Sequence, residues 1–160
     1  MNEIKKRLLT KSILTLPNFK KPFIIYINAS EIRVSAVLIQ LSKDKKERII
    51  EFASKKNNYT QSKYEITDLE GLAVYWAIVK FHHYVQCTPF IIVTDHHALK
   101  YIFKKDEVPK RRRGRWVLHL QQFKYNIEYR EGKKMTIADY FSRQPIWKLE
   151  DDADEKYYHN

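Results

Sequence analysis

Two uninterrupted apolar runs, separated by a segment with helical period, constrain the fold of this chain more than any other feature. The runs are residues 23–27, which follow Pro22, and residues 89–94. Runs of this length without polar alternation are typical of strands that are buried on both faces. A helix between two such strands suits a crossover that lays them side by side and parallel. The chain is therefore predicted to be an α/β protein.

The connecting segment, residues 67–85, is predicted to be a helix because its apolar residues recur at every third or fourth position. Thr67 is followed by Glu70 three residues later, which matches the capping box that begins many helices. Glu70 also shares a helical face with Val74 and Ala77. The buried apolar face of this helix is therefore expected to include an acid near the start of the helix.

The remaining elements are predicted from period and turn residues. Residues 34–41 and 48–54 favour two more strands, in an antiparallel meander with the first strand. Residues 123–129 alternate apolar and polar side chains, which is typical of a strand at a sheet edge. Short helices are predicted over 96–103, 116–122 and 136–142. The expected architecture is a five-stranded mixed sheet, with three antiparallel strands and then two parallel strands, flanked by helices.

The charge is high and unevenly distributed. The net charge is +11, and residues 150–160 carry −4 of it, so residues 1–149 carry +15. A compact domain with this excess attracts polyanions, and nucleic acid is the commonest polyanion inside cells. A merely soluble basic surface is the alternative. The densest basic cluster is expected to contact phosphates, with a solvated loop or a nuclear-localisation-like run as the alternatives. It comprises Lys104, Lys105, Lys110, Arg111, Arg112, Arg113 and Arg115.

Composition narrows the class of protein further. Cys87 is the single cysteine, so an internal disulfide framework and a cysteine-rich zinc module are both excluded. No apolar run reaches the roughly 18 to 20 residues that span a bilayer, and no signal-peptide pattern begins the chain. We therefore expect an intracellular protein, cytoplasmic or nuclear, without a membrane partner.

Acidic side chains are expected to meet at one end of the sheet. Asp95 follows the second apolar run, Asn28 ends the first, and Glu70 and Asp139 lie in predicted helices. Ligands of open α/β sheets bind at the carboxyl ends of the strands. Each residue also has an ordinary explanation: Asp95 as a helix N-cap, Glu70 as the capping-box acid, and Asp139 as a solvated helix residue.

Clustered carboxylates repel one another unless a cation lies between them. Mg²⁺ and Mn²⁺ are hard cations that prefer oxygen ligands. Two such ions can activate water and stabilise the leaving oxygen of a phosphodiester. Together with the basic surface, this arrangement favours a nuclease.

Short motifs follow one another in order over residues 4–145. They are Asn28-Ala29-Ser30, Phe52-Ala53-Ser54-Lys55, Asn58-Tyr59-Thr60, Glu70-Gly71-Leu72-Ala73-Val74, Thr94-Asp95-His96-His97-Ala98-Leu99, Arg115-Trp116, Tyr129-Arg130-Glu131-Gly132-Lys133 and Ala138-Asp139-Tyr140-Phe141-Ser142-Arg143. In these motifs the chain resembles the RNase H domain of reverse transcriptases from gypsy-type LTR retrotransposons. The resemblance implies an RNase H-like fold, with a connection-like lead-in over 1–22 and the domain over 23–145. The acidic residues near the end indicate a flexible tail over 146–160.

The resemblance also implies hydrolysis of RNA in RNA–DNA hybrids with two Mg²⁺ or Mn²⁺ ions, and a polymerase region as partner. The four metal-binding acids of the family fall on Asn28, Glu70, Asp95 and Asp139, so Asn28 replaces the first acid. Arg33 and Ser35 stand where the family usually has glycines. Because these positions have changed together, natural drift or domestication explains Asn28 better than an engineered change does.

Three functions are compared at this point. The first is a metal-dependent endoribonuclease that acts on RNA–DNA hybrids and is weakened by Asn28; a working site would bind two ions, and a dead one would bind one weakly or none. The second is a domesticated, inactive module that binds nucleic acid or protein. The third, an integrase-like phosphoryl transferase, ranks last because its late acid should be a Glu on a long helix, whereas Asp139 lies on a short one.

Overall fold

The structure, a computed structural model, describes residues 14–103 and 111–131. Five strands form one sheet in the order β3-β2-β1-β4-β5. The strands are β1 (Phe23–Ala29), β2 (Arg33–Leu41), β3 (Glu47–Lys56), β4 (Phe90–Thr94) and β5 (Tyr125–Tyr129), and the helices are α1 (Tyr59–Ser62), α2 (Ile66–Lys80), α3 (His82–Val85), α4 (Leu99–Ile102) and α5 (Arg111–Leu120).

Strand directions confirm the expected mixed sheet. Strands β1, β2 and β3 are antiparallel neighbours, while β4 runs parallel to β1 and β5 runs parallel to β4. Strand β1 lies at the centre, which explains its unbroken apolar sequence, and β5 lies at an edge, as its alternation predicts. No helix in the described part of the chain is long and apolar enough to span a bilayer.

Helix α2 covers one face of the sheet. Phe23, Ile25 and Ile27 of β1 are fully buried in the core that includes the apolar side chains of this helix. The alternate residues Ile24 and Tyr26 are buried on the opposite face, in a second apolar cluster. Burial on both faces removes apolar surface of the strand from water. Each Å² removed stabilises the fold by roughly 25 cal/mol.

Helix α5 packs against α2 through contacts that repeat along both helices. Gly71 lies beneath Trp116, where a Cβ atom would approach the indole ring to 2.9 Å. One turn earlier, Asp68 pairs with arginines of α5, and one turn later the Tyr75 hydroxyl is 2.8 Å from His119 Nδ1. A glycine at the centre therefore allows the close approach, and polar pairs fix the register on either side.

The helix limits differ from the predictions. The predicted helix over 67–85 is divided: α2 ends at Lys80, and the short α3 follows after Phe81. The predicted capping box is wrong, because α2 begins at Ile66 with Glu65 at the N-cap position and no side-chain cap bond. The helix predicted over 96–103 is the shorter α4, the one predicted over 116–122 begins earlier as α5, and the one predicted over 136–142 lies outside the described residues.

Residues 14–22 run along the sheet before β1. The Thr15 N–H donates to Ile49 O at 2.7 Å, which pairs this segment with the outer edge of β3. The buried side chain of Gln40 accepts from the Asn18 N–H and donates to Asn18 O, both at 2.8 Å. The segment is therefore tied to β2 and β3 by backbone and side-chain bonds. The proposed divisions at residues 22 and 145 stay predictions.

Candidate active site

The carboxyl ends of β1 and β4 bring Asn28 and Asp95 to the same end of the sheet. Tyr26 and Val93 form the last registered pair of these two parallel strands. Asn28 lies two residues further along β1, and Asp95 lies in the bend directly after β4, so both stand at the same end of the sheet. Asn28 is half-buried and Asp95 is exposed. The expected meeting of these two positions therefore follows from the parallel register.

Glu70 reaches this end of the sheet from the first turns of α2. Its side chain is only 3% exposed, and it accepts a hydrogen bond from the backbone N–H of Ala29. The Asn28 Oδ1 atom accepts from the same N–H at 3.0 Å. The Glu70 carboxylate and the Asn28 amide thus converge on one backbone group.

The electrostatics of Glu70 are those of a buried acid beside a second acid. Burial, and to a smaller extent the Asp95 carboxylate, raises the pKa of Glu70 from 4.5 to about 8, while the Ala29 N–H acts in the opposite direction. Glu70 Oε2 is buried and has no hydrogen-bond partner among the described residues. A buried polar atom without a partner costs roughly 1 to 3 kcal/mol, so this oxygen fits a ligand that the fold itself does not supply.

The donor set fits a hard divalent cation. It contains two carboxylates and one amide oxygen, and oxygen donors are what Mg²⁺ and Mn²⁺ prefer. Within residues 14–103 and 111–131 no three His, Cys, Asp or Glu side chains form a metal-binding group. Asp139, the fourth predicted position, lies outside the described residues. Because Asn28 is neutral, the described part of the site carries one negative charge fewer than a site with three carboxylates.

The alternative role of Asp95 as a helix N-cap does not match the structure. The N-cap of α4 is Ala98, and no side chain caps that helix. The turn after β4 is instead held by the Thr94 hydroxyl, which accepts from the His96 N–H at 3.0 Å. The Asp95 carboxylate is therefore not used as the cap of α4.

Two departures from the family pattern lie beside Asn28. Ser35 pairs with Asn28 across β1 and β2; it is fully buried, and its Oγ atom has no hydrogen-bond partner among the described residues. Arg33 Nη1 lies 3.4 Å from Ser54 Oγ on β3. The arginine therefore contacts the outer strand of the sheet.

The basic cluster is only partly directed to solvent. Arg112 Nη1 and Arg113 Nε bind the two oxygens of Asp68 at 3.0 and 2.6 Å. The Arg112 guanidinium also stacks on the Tyr64 ring, 3.6 Å from its centroid. Arg111 and Arg115 are exposed. Two of the arginines predicted to contact phosphates thus help to hold α5 on α2, while Lys104, Lys105 and Lys110 lie outside the described residues.

Sequence reasoning missed one contact near the carboxylates. His96 Nε2 lies 3.1 Å from the hydroxyl of Thr67. The sequence pattern indicated a local capping role for Thr67 instead. The position of His96 directly after Asp95 was the available signal, but nothing in the local pattern names its partner.

Comparison with known proteins agrees with this geometry. Residues 18–123 match the family model described as the RNase H-like domain found in reverse transcriptase. The chain is 32% identical over 144 residues to the retrovirus-related Pol polyprotein from transposon 297 of Drosophila melanogaster, covering 90% of this chain and 13% of that protein. It is 34% identical over 160 residues to the transposon Tf2-3 polyprotein of Schizosaccharomyces pombe, covering 95% of this chain and 12% of that protein. The chain therefore spans about one eighth of these relatives.

Solved structures share the fold at low sequence identity. The foamy viral protease-reverse transcriptase in complex with RNA/DNA hybrid superposes with a TM-score of 0.56 at 15% identity, covering 72% of this chain and 16% of that one. RNase H1 from Halobacterium salinarum superposes with a TM-score of 0.54 at 12% identity, covering 74% of this chain and 92% of that one. The second match spans nearly a whole RNase H1 chain, so the described sheet and helices form an RNase H fold.

Proposed function

The chain belongs to the family of RNase H-like domains found in reverse transcriptases, and we propose that it binds RNA–DNA hybrid and hydrolyses the RNA strand, at a rate that Asn28 reduces. The buried Glu70 carboxylate carries this proposal. It faces Asp95 at the carboxyl end of the sheet, and one of its oxygens has no partner among the described residues. Folding alone gives no reason to keep an acid in such a place.

The proposed chemistry depends on divalent cations, which RNase H-like proteins generally use. Such ions activate a water molecule and stabilise the leaving oxygen of a phosphodiester. Glu70 and Asp95 would hold a cation through carboxylate oxygens, and Asn28 would offer only a neutral amide oxygen. Asp139 is proposed as a further ligand from the family pattern alone. The family is expected to bind two ions. A site weakened in this way would bind at least one of them with lower affinity.

Hybrid binding is proposed from charge. Residues 1–149 carry +15, and phosphate contacts need positive charge but no reading of bases. The exposed Arg111 and Arg115 are the described members of the basic cluster that could supply it. The foamy viral structure that shares this fold contains RNA/DNA hybrid, which supports the same class of ligand. A polymerase region is the proposed partner in the full protein, and an intracellular location is proposed with it.

A second function follows from Asn28 itself. If the neutral amide leaves too little charge to hold a cation, the chain keeps the fold and the basic surface without hydrolysis. It would then act as a module that binds nucleic acid or protein. The carboxylate pair favours the first function, and the missing acid favours the second.

The test compares the chain with Asn28→Asp on a labelled RNA–DNA hybrid in Mg²⁺ and in Mn²⁺. We expect cleavage by both, faster by roughly 10 to 100-fold in the variant, because losses around metal ligands have effects of that size. Glu70→Gln is the inactive control, and its hybrid binding should be unchanged. Cleavage by Asn28→Asp alone would favour the binding module, and cleavage by neither would reject the nuclease proposal.

A further inference from the structure

A hydrogen bond joins the two segments that supply the carboxylates. His96 Nε2 lies 3.1 Å from Thr67 Oγ1, and this bond connects the turn after β4 with the first turn of α2. His96 directly follows Asp95, and Thr67 lies one helical turn before Glu70. The bond therefore links the backbone next to one acid with the backbone next to the other.

The surrounding contacts leave Thr67 and His96 suited to this link. Helix α2 has no side-chain cap, so the Thr67 hydroxyl is used for a tertiary contact rather than for its own N-terminus. The His96 backbone is fixed by the Thr94 hydroxyl, which is fully buried at the end of β4. The imidazole thus extends from a turn that is already anchored to the sheet.

We propose that the bond between His96 and Thr67 is a clamp that sets the position of Asp95 relative to Glu70, and through it the affinity of the site for divalent cations. This inference rests on the proposed function, because it concerns the same carboxylates. His96 and Thr67 are positioning residues in this role and do not themselves hold the cation.

The clamp matters because the two acids lie on segments that are held differently. Asp95 lies in an exposed turn, while Glu70 is fixed in the core. Movement of the turn would therefore change the separation of the two acids, and a displacement of about 1 Å at such a site can lower a rate by roughly 100-fold.

The test measures Mn²⁺ affinity by calorimetric titration of the folded chain, together with thermal unfolding. Thr67→Val removes the hydroxyl at constant shape, and Thr67→Ser keeps it. We expect Thr67→Val to weaken Mn²⁺ binding by about 10-fold, the lower end of the range for groups that support metal ligands. Thr67→Ser should stay within about twofold of the parent chain. At the other end of the bond, His96→Leu should weaken binding like Thr67→Val, and His96→Gln should restore most of it.

Tyr75→Phe is the matched control. It removes the contact of 2.8 Å between the Tyr75 hydroxyl and His119 Nδ1, on the same helix but away from the carboxylates. It should lower the melting temperature and leave Mn²⁺ affinity unchanged. In a double variant, Thr67→Val and His96→Leu should together weaken binding no more than either change alone, because they break one bond.

Two results would overturn the clamp, and they are distinguishable. If the parent chain binds Mn²⁺ and Thr67→Val binds it equally tightly while melting at a lower temperature, the bond serves stability alone and the proposed function stands. If the parent chain does not bind Mn²⁺ at all, both the proposed metal site and the clamp are rejected.

Discussion

Asp68 and Glu70 lie two residues apart on helix α2, yet their surroundings are opposite. Both oxygens of Asp68 are bound by arginines of α5. Glu70 is more deeply buried, faces the negative charge of Asp95, and has an oxygen without a partner among the described residues. Within the described residues, arginines supply the counter-charges of Asp68, whereas no cation is among the groups that act on Glu70.

This difference separates an acid that the described fold pairs with cations from an acid that it leaves beside a second negative charge. A buried carboxylate is unfavourable unless it is paired, and charge-assisted bonds such as those of Asp68 are the strong ones. The unfavourable surroundings of Glu70 must be offset by the rest of the fold. Such surroundings are typical of a residue that binds a ligand, because acids with perturbed pKa values cluster at functional sites.

The largest expected effect is on the pH dependence of stability in chelator-treated protein. Burial and Asp95 raise the pKa of Glu70 to about 8, so the folded state holds the Glu70 proton more tightly than the unfolded state. The resulting stability is full below about pH 4.5 and is lost as pH rises through about 8. Glu70→Gln should remove this loss of stability. At pH 8 its free energy of unfolding in urea should therefore exceed that of the parent chain by several kcal/mol.

The comparison at low pH is the control for that effect. At pH 5 the parent chain carries a neutral Glu70, so the parent and Glu70→Gln should have similar free energies of unfolding. If the free energies of unfolding of the parent chain and of Glu70→Gln changed in parallel from pH 5 to 8, Glu70 would not titrate in this range. The proposed difference between Glu70 and Asp68 would then be wrong.

A second variant tests the close approach of helices α2 and α5, which the ion pairs of Asp68 also join. Gly71→Ala should lower the free energy of unfolding by about 2 kcal/mol, because overpacking costs roughly 1 to 3 kcal/mol and exceeds the gain in helix preference. The added Cβ would lie 2.9 Å from the Trp116 ring. In a Trp116→Leu background the same alanine should become neutral or stabilising. A destabilisation of equal size in both backgrounds would contradict the contact.

The smallest expected effect concerns Asp68. Asp68→Asn should lower the free energy of unfolding by about 1 kcal/mol, because both arginine partners are about one-third exposed and solvent screens the pairs. Asp44→Asn is the control, since Asp44 pairs with Lys46 at 3.5 Å on the surface and should give no measurable change. Equal stability of these two variants in urea unfolding would show that Asp68 is no better placed than a surface acid.

Much of the fold could be predicted because periodicity reports burial. The unbroken apolar runs of β1 and β4 and the alternation in β5 each predicted the right place in the sheet. The start of α2 was predicted less well: Thr67 and Glu70 match a local capping pattern, but His96 and the core take these side chains instead. Tertiary partners outweighed a local preference worth about 1 kcal/mol.

The candidate site was predictable only as far as strand ends and helix faces determine it. The register of β1 and β4 places Asn28 and Asp95 together, and the buried stripe of α2 carries Glu70. The pairing of Arg112 and Arg113 with Asp68 joins residues more than 40 positions apart. Such long-range contacts leave no signal in local sequence, so those arginines resembled free phosphate-binding groups.

The parallel pairing of β1 with β4 also has a consequence for how the chain folds. Phe23 pairs with Phe90, which lies 67 positions later, whereas β1, β2 and β3 are joined by short turns. Closing a long loop lowers the entropy of the chain before stabilising contacts form, so pairings of this kind form slowly. The meander can form from neighbouring segments, but the pairing that unites Asn28 with Asp95 requires the intervening chain to be in place. The site where chemistry is proposed thus depends on a pairing between segments that are far apart in sequence, and its assembly depends on the rest of the fold.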